Sequence, residues 1–129
     1  MARILVADDE VNLVNILEKS LVRDGHTVVT AYDGIEALRR LSLGDIDLVV
    51  IDMVMPNMNG LDAIKEMQKK YPKVKIIAIS GGGNRGGPRD YLDVAKQLGA
   101  SQCLFKPFML NELSARIKDL LTPTPLGPA

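Results

Sequence analysis

The sequence has little cysteine, little histidine, no excess charge and no long apolar run. One cysteine among 129 residues cannot form an internal disulfide, which fits a reducing cytoplasm. The longest apolar stretches, residues 4–7 (Ile-Leu-Val-Ala) and 48–51 (Leu-Val-Val-Ile), each stop at an Asp. A membrane span needs about 18 or more apolar residues, and a signal-peptide core needs about 7–15. Neither is present, so neither membrane insertion nor export is expected. Sixteen acidic residues balance sixteen basic ones, leaving no basic footprint for direct nucleic-acid binding by this domain. No G-x-x-x-x-G-K-[S/T] occurs, which excludes a P-loop. The single histidine, His26, opens an apolar segment and reads as a surface or core residue, not as a phosphate carrier. What is there, 47% hydrophobic and 25% charged residues, is the balance of a globular domain. At this length one domain is expected, able to bury about two-thirds of its unfolded surface without a metal or disulfide staple.

Strand and helix patterns alternate along the chain. Residues 4–7 form a short apolar strand before Asp8-Asp9-Glu10. From Val11 the period changes: Val14, Leu17 and Leu21 share a helical face, and Gly25 suits the position after the helix end. Residues 26–31 are β-branched and predict a strand. Asp33 with Glu36 three residues on resembles a capping box, followed by the face Ile35, Leu38, Leu41 and a stop at Gly44. Residues 48–51 read as a central strand buried on both sides. A loop around Pro56 leads to a helix over about 61–70. A fourth strand spans 74–79, a glycine-rich loop spans 81–87, and a fourth helix runs from Pro88 to a stop at Gly99. Residues 101–105 form the fifth strand. Leu110, Leu113, Ile117 and Leu120 mark a last helix, and residues 122–129 read as a Pro-rich tail or linker stub. Five βα units without an internal repeat predict an α/β domain, a doubly wound parallel sheet with helices on both faces.

In such sheets the site lies beyond the carboxyl ends of the strands. Strand 1 is followed by Asp8 and Asp9, strand 3 by Asp52, strand 4 by Ser80 and strand 5 by Lys106. Each alone has a bland reading: a helix cap, a turn, a solvated lysine. Together they mark a site. If strands 1 and 3 are adjacent, three carboxylates converge and cannot all stay ionised unaided. Oxygen ligands without His or Cys favour a hard cation, Mg²⁺ foremost, with Mn²⁺ as a substitute. Three carboxylates, one Mg²⁺ and one Lys sum to zero charge, a site poised to accept a phosphoryl group.

Asp8-Asp9, Asp52 followed by Met55-Pro56 and Gly60, Ser80, and Lys106-Pro107-Phe108 strongly resemble the receiver domain of two-component response regulators. The resemblance covers about residues 2–121. It implies a flavodoxin-like five-stranded sheet of order 2-1-3-4-5, and it implies roles residue by residue. Asp52 accepts the phosphoryl group as a carboxylate nucleophile. Asp9 binds Mg²⁺ directly, Asp8 mainly through water, and the Val54 backbone carbonyl is a further ligand. Lys106 pairs with Asp52 and then with the phosphoryl oxygens, to which Ser80 hydrogen-bonds. The Lys106–Pro107 bond is implied to be cis. The donor is a phosphohistidine on a sensor histidine kinase or phosphotransfer protein. The output is altered binding of a downstream effector or output domain, or a phosphorylation-dependent dimer through helix 4, strand 5 and helix 5. Such a domain assists its own phosphorylation and dephosphorylation and is not otherwise an enzyme.

Three features depart from the family pattern. Cys103 stands where the family has Tyr or Phe, so an aromatic cannot swing inward when Ser80 engages the phosphoryl group. The loop after Ser80 (Gly81, Gly82 and on to Gly87) is long and glycine-rich, so switching is expected to fall on it, with Ser80, Cys103, Gly81 and Gly82 as the switch residues. Val54 and Gly82, two residues after Asp52 and Ser80, carry no polar side chains. Gly81, Gly83 and Gly86 satisfy G-x-G-x-x-G, but the acid expected about 20 residues on is missing. The alternative function is a pseudo-receiver, a constitutive interaction module. An aspartyl-phosphate phosphohydrolase would need a second catalytic carboxylate beside the nucleophile, where Met53 and Val54 stand. Lys65, Lys69, Lys70, Lys73 and Lys75 cluster near the end of helix 3 and read as a solvated helix terminus.

Overall fold

The computed structural model describes residues 2–81, 93 and 95–122. Five parallel strands form one sheet: β1 Arg3–Ala7, β2 Thr27–Ala31, β3 Leu48–Asp52, β4 Lys75–Gly81 and β5 Gln102–Lys106, in the order β2-β1-β3-β4-β5. Helices α1 (Val11–Arg23), α2 (Gly34–Ser42) and α3 (Gly60–Lys70) alternate with them, and a C-terminal helix spans Leu110–Leu121. This is the expected doubly wound sheet.

Side chains alternate across a strand with period two, and here both sets are apolar. Leu5, Ala7, Val49, Ile51, Ile76 and Ala78 pack on α2 and α3 through Ala37, Leu41, Ile64 and Met67. Ile4, Val6, Leu48, Val50, Ile77 and Ile79 face the other way, onto α1 and the C-terminal helix through Leu17, Leu21, Leu113 and Ile117. Burying each large aliphatic side chain stabilises by about 1.5–3 kcal/mol. The two clusters clamp the sheet from both sides and fix which strand ends meet.

Glycine ends the helices as expected. Gly25 (φ 97°) follows α1, donating to the Val22 carbonyl while the His26 amide donates to Leu21, the paired bonds of a Schellman end. That bond takes the His26 amide away from the ladder, so β2 begins at Thr27 and not at His26. The imidazole Nδ1 of His26 accepts from the Ala2 amide at 3.2 Å, a structural role. Gly99 (φ 121°) follows helical residues 95–98 in the same way; Pro88 lies outside the described residues. Strands β3, β4 and β5 run further than their apolar runs suggest. Asp52 lies opposite Ile79 and Gly81 opposite Lys106, so Asp52, Ser80 and Lys106 belong to the strands instead of following them. A polar side chain does not end a strand, because the ladder is made by the backbone.

Candidate functional site

The carboxyl ends of β1, β3, β4 and β5 bring the expected residues together. Asp8 and Asp52 are almost wholly buried, as is Ser80, while Asp9 is exposed. Carboxylate oxygens of Asp8, Asp9 and Asp52 all lie within 4.8 Å of one another. Lys106 reaches over them: its Nζ stands 2.7 Å from Asp8 Oδ2 and 3.0 Å from Asp52 Oδ2. The other Asp52 oxygen, Oδ1, accepts from the Val54 amide at 3.2 Å, and Asp8 Oδ1 accepts from the Glu10 amide at 2.9 Å. Ser80 sits opposite Phe105, one residue from Lys106 in the β4–β5 register. Val54 is exposed between the buried Met53 and Met55. The Lys106–Pro107 peptide is cis.

Glu10 was not among the site residues singled out from the sequence, where it stood only as the third acid after the first strand. It is the residue before α1, yet its side chain makes no cap; Oε1 instead meets Lys106 Nζ at 3.1 Å. The third acid of Asp-Asp-Glu was the signal available. Glu10 is the third carboxylate on one ammonium, after Asp8 and Asp52. Beside it, Glu10, Leu13, Ile16, Lys106, Pro107 and Phe108 line an open groove of about 560 Å³.

The electrostatics follow from burial. Desolvation, reinforced by repulsion from Asp52, pushes Asp8 up to about 6, although Lys106 and the Glu10 amide pull it the other way. Burial opposes the Lys106 ammonium, but contact with Asp8 and the charge of Asp52 outweigh it and raise the group above its usual value. Lys106 therefore stays charged. The Cys103 thiol is half-buried and burial raises its pKa, which keeps it from being a reactive thiolate. It packs against the α2–α3 side of the core, opposite Ala78 in the sheet. Of the other expected switch residues, Gly81 is the last residue of β4, and Gly82 lies outside the described residues, as does the rest of the 82–87 loop.

The donor set suits a hard divalent cation. It is all oxygen, with no His or Cys, and its oxygens are close enough to converge on one ion. Asp8 Oδ2 is buried, accepts no hydrogen bond of good geometry and is met by the Lys106 ammonium alone among the described residues. Among the described residues Lys106 is the one cation paired with these carboxylates.

Residues 4–118 match the family model of the response regulator receiver domain. The chain belongs to this family. This receiver domain is 37% identical over 121 residues to the transcriptional regulatory protein CpxR homolog of Haemophilus influenzae, covering 94% of the chain and 51% of that protein. It is 40% identical over 124 residues to the probable transcriptional regulator ycf27 of Cyanophora paradoxa, covering 95% and 49%. It spans about half the length of the curated relatives it matches. A receiver domain protein from Clostridium thermocellum superposes with a TM-score of 0.85 at 34% identity, covering 93% of this chain and 94% of that one. The response regulator TrrA of Thermotoga maritima, solved with Mg²⁺ and BeF, superposes at 0.81 with 36% identity, covering 94% and 100%. The flavodoxin-like order and the receiver-domain reading hold. Among the described residues no helix is long and apolar enough to cross a membrane.

Proposed function

We propose that this receiver domain takes a phosphoryl group on Asp52 in a Mg²⁺-dependent reaction and passes the signal on by changing its affinity for a partner. The observation that carries the reading is Lys106 Nζ, 3.0 Å from Asp52 Oδ2, beside three carboxylates within 4.8 Å of one another. Asp8, Asp9, Asp52 and the Val54 carbonyl would hold the cation. Once bound it supplies charge neutralisation for the incoming phosphoryl oxygens. The chain's own groups do the rest. The Val54 amide holds Asp52 Oδ1 and thereby orients the carboxylate. An Asp52 oxygen attacks phosphorus as the donor's P–N or P–O bond breaks, and the leaving group takes that electron pair. Lys106 follows the negative charge from Asp52 to the phosphoryl oxygens, and Ser80 donates a hydrogen bond to them. The chemistry is positioning and charge, so small acyl phosphates substitute for the phosphohistidine of a sensor histidine kinase or phosphotransfer protein. Downstream stands an effector or output domain, or a dimer through the face around strand β5 and its flanking helices. The shift is one of populations between existing conformations.

The reading is tested with acetyl phosphate and Mg²⁺. Wild type is expected to gain one acid-stable, base-labile phosphoryl group, and Asp52→Asn none, because an amide keeps the shape but is no nucleophile. Equal uptake by both proteins would refute it.

The raised pKa of Asp8 predicts the pH dependence. Metal binding needs the ionised carboxylate, so Mg²⁺ affinity is lost as pH falls through about 6. At one pH unit below that value the affinity is expected to drop about tenfold for one linked proton. The metal-free fold behaves oppositely. A carboxyl whose folded pKa is raised costs stability above that pKa, and the cost is relieved as pH falls from about 6 toward its ordinary value. Calorimetric Mg²⁺ titrations and metal-free melting curves at pH 7 and pH 5 should move in opposite directions. Two curves that fall together would contradict the assignment.

A further inference from the structure

The loop between β3 and α3 carries Val54, yet most of its residues are exposed: Val54, Pro56, Asn57 and Asn59 face solvent. Something must hold it if the Val54 amide is to keep Asp52 in place. Met53 and Met55 anchor it from below, and the Gly60 amide donates to the Met53 carbonyl at 3.0 Å. The outer half is held sideways, by α2. Asn57 adopts φ 68°, the left-handed region that Asn tolerates better than most residues. Its Nδ2 donates to Asp33 Oδ2 at 2.7 Å. Beside it the Gly34 amide donates to the Met58 carbonyl at 3.1 Å. A Cβ on Gly34 would lie 2.5 Å from that same oxygen, so the two backbones meet as closely as glycine allows.

Asp33 is itself fixed. Its Oδ1 caps α2 by accepting from the Glu36 amide at 2.7 Å, and Glu36 Oε1 turns back to accept from the Tyr32 amide at 2.7 Å. The expected capping box is there, with Glu36 closing on the residue before the cap. A carboxylate has two oxygens, and the cap uses only one. The other is spent 24 residues away in sequence, on the loop that follows the phospho-acceptor. The Glu36 amide and the Asn57 amide together hold the Asp33 carboxyl below its usual value, so the brace keeps its charge near neutral pH.

We infer that Asp33 and Asn57 are positioning residues for the phosphorylation site: their side-chain bond braces the Val54 loop and sets Mg²⁺ affinity and the rate of phosphoryl uptake. The inference rests on the function proposed above. Neither residue touches the cation or the phosphoryl group. Both act through the loop.

The test separates bond, cap and backbone. Asp33→Ser keeps a good helix cap but loses the second oxygen. Asn57→Gly keeps the left-handed backbone without strain but loses the amide. Asp33→Asn retains both functions, since its oxygen can cap while its amide donates to a turned Asn57 side chain. With Mg²⁺ alone as probe, calorimetry should show Asp33→Ser and Asn57→Gly each weakened about fivefold, as fits one exposed hydrogen bond to a charged group. The double variant should be no weaker than either single one, and Asp33→Asn should keep wild-type affinity. In the metal-free proteins amide exchange at residues 53–58 should rise in the two breaking variants while melting temperatures stay matched. Single variants that bind Mg²⁺ as wild type does, or effects that add in the double variant, overturn the brace while wild-type Mg²⁺ binding and phosphoryl uptake stand. A wild type that binds no Mg²⁺ and takes up no phosphoryl group overturns the function and the brace with it.

Discussion

Replacing Asp9 by Ala should weaken Mg²⁺ binding by more than about a hundredfold, with a smaller loss for Asp8→Ala. Removing a group that only orients a ligand costs about 10–100-fold in metal affinity, and a charged oxygen that meets the ion itself costs more. The two neighbours differ in what else they hold. The Asp8 carboxylate is buried, engaged by the Lys106 ammonium at 2.7 Å and by the Glu10 amide at 2.9 Å. The Asp9 carboxylate is exposed within the same cluster. A cation entering from solvent meets Asp9 without first breaking an ion pair. Asp8→Ala removes a negative charge already partly neutralised by Lys106, so less attraction for the ion is lost with it. Calorimetric titration of the three proteins at pH 7.5 decides the order. Equal affinities of Asp9→Ala and wild type would refute the ligand assignment.

Gly60→Ala should destabilise the fold by about 3 kcal/mol or more, at the severe end for a single added methyl. A Cβ at this position would overlap the Asp52 carbonyl oxygen and come within 2.7 Å of Met53 Cα. Both are backbone atoms in or beside β3, so neither can turn away. α3 starts here, capped by Asn59, whose side chain accepts from the Asp62 amide at 2.9 Å. The glycine lets the start of the helix lie directly against the end of the acceptor strand. The methyl would push the two apart and displace Asp52 from Lys106, so phosphoryl uptake should fall together with stability. Urea unfolding measures the first, and acetyl phosphate labelling the second. An unchanged urea midpoint would show that the contact yields more easily than backbone atoms should.

The strand ends explain how much of the site the sequence carries. An apolar run that stops at an acid, a serine or a lysine places that side chain at the rim of the sheet, and parallel order then collects the rims. Asp8, Asp9, Asp52, Ser80 and Lys106 were legible for that reason. The cap at Asp33 and the stops at Gly25, Gly44 and Gly99 were legible because they depend on residues within one turn. Glu10 and Asn57 were not. Both spend their side chains on partners far along the chain, Lys106 and Asp33, and no local period encodes a meeting of that kind. Strand limits were misjudged by a residue or two for a related reason: hydropathy follows side chains, whereas strand pairing follows the backbone. Cys103 reads as a departure from the family pattern, and in the fold it is a half-buried strand residue against the core.

The position that takes the phosphoryl group decides the function. Wild-type protein labelled with acetyl phosphate and Mg²⁺ should be reduced with borohydride, which converts an acyl phosphate on aspartate to homoserine, and then digested and mapped by mass. Homoserine is expected at position 52 alone, none without Mg²⁺, and none in Asp52→Asn. Homoserine at position 8 or 9, or a stable phosphoryl group on another residue with Asp52 unmodified, would contradict it.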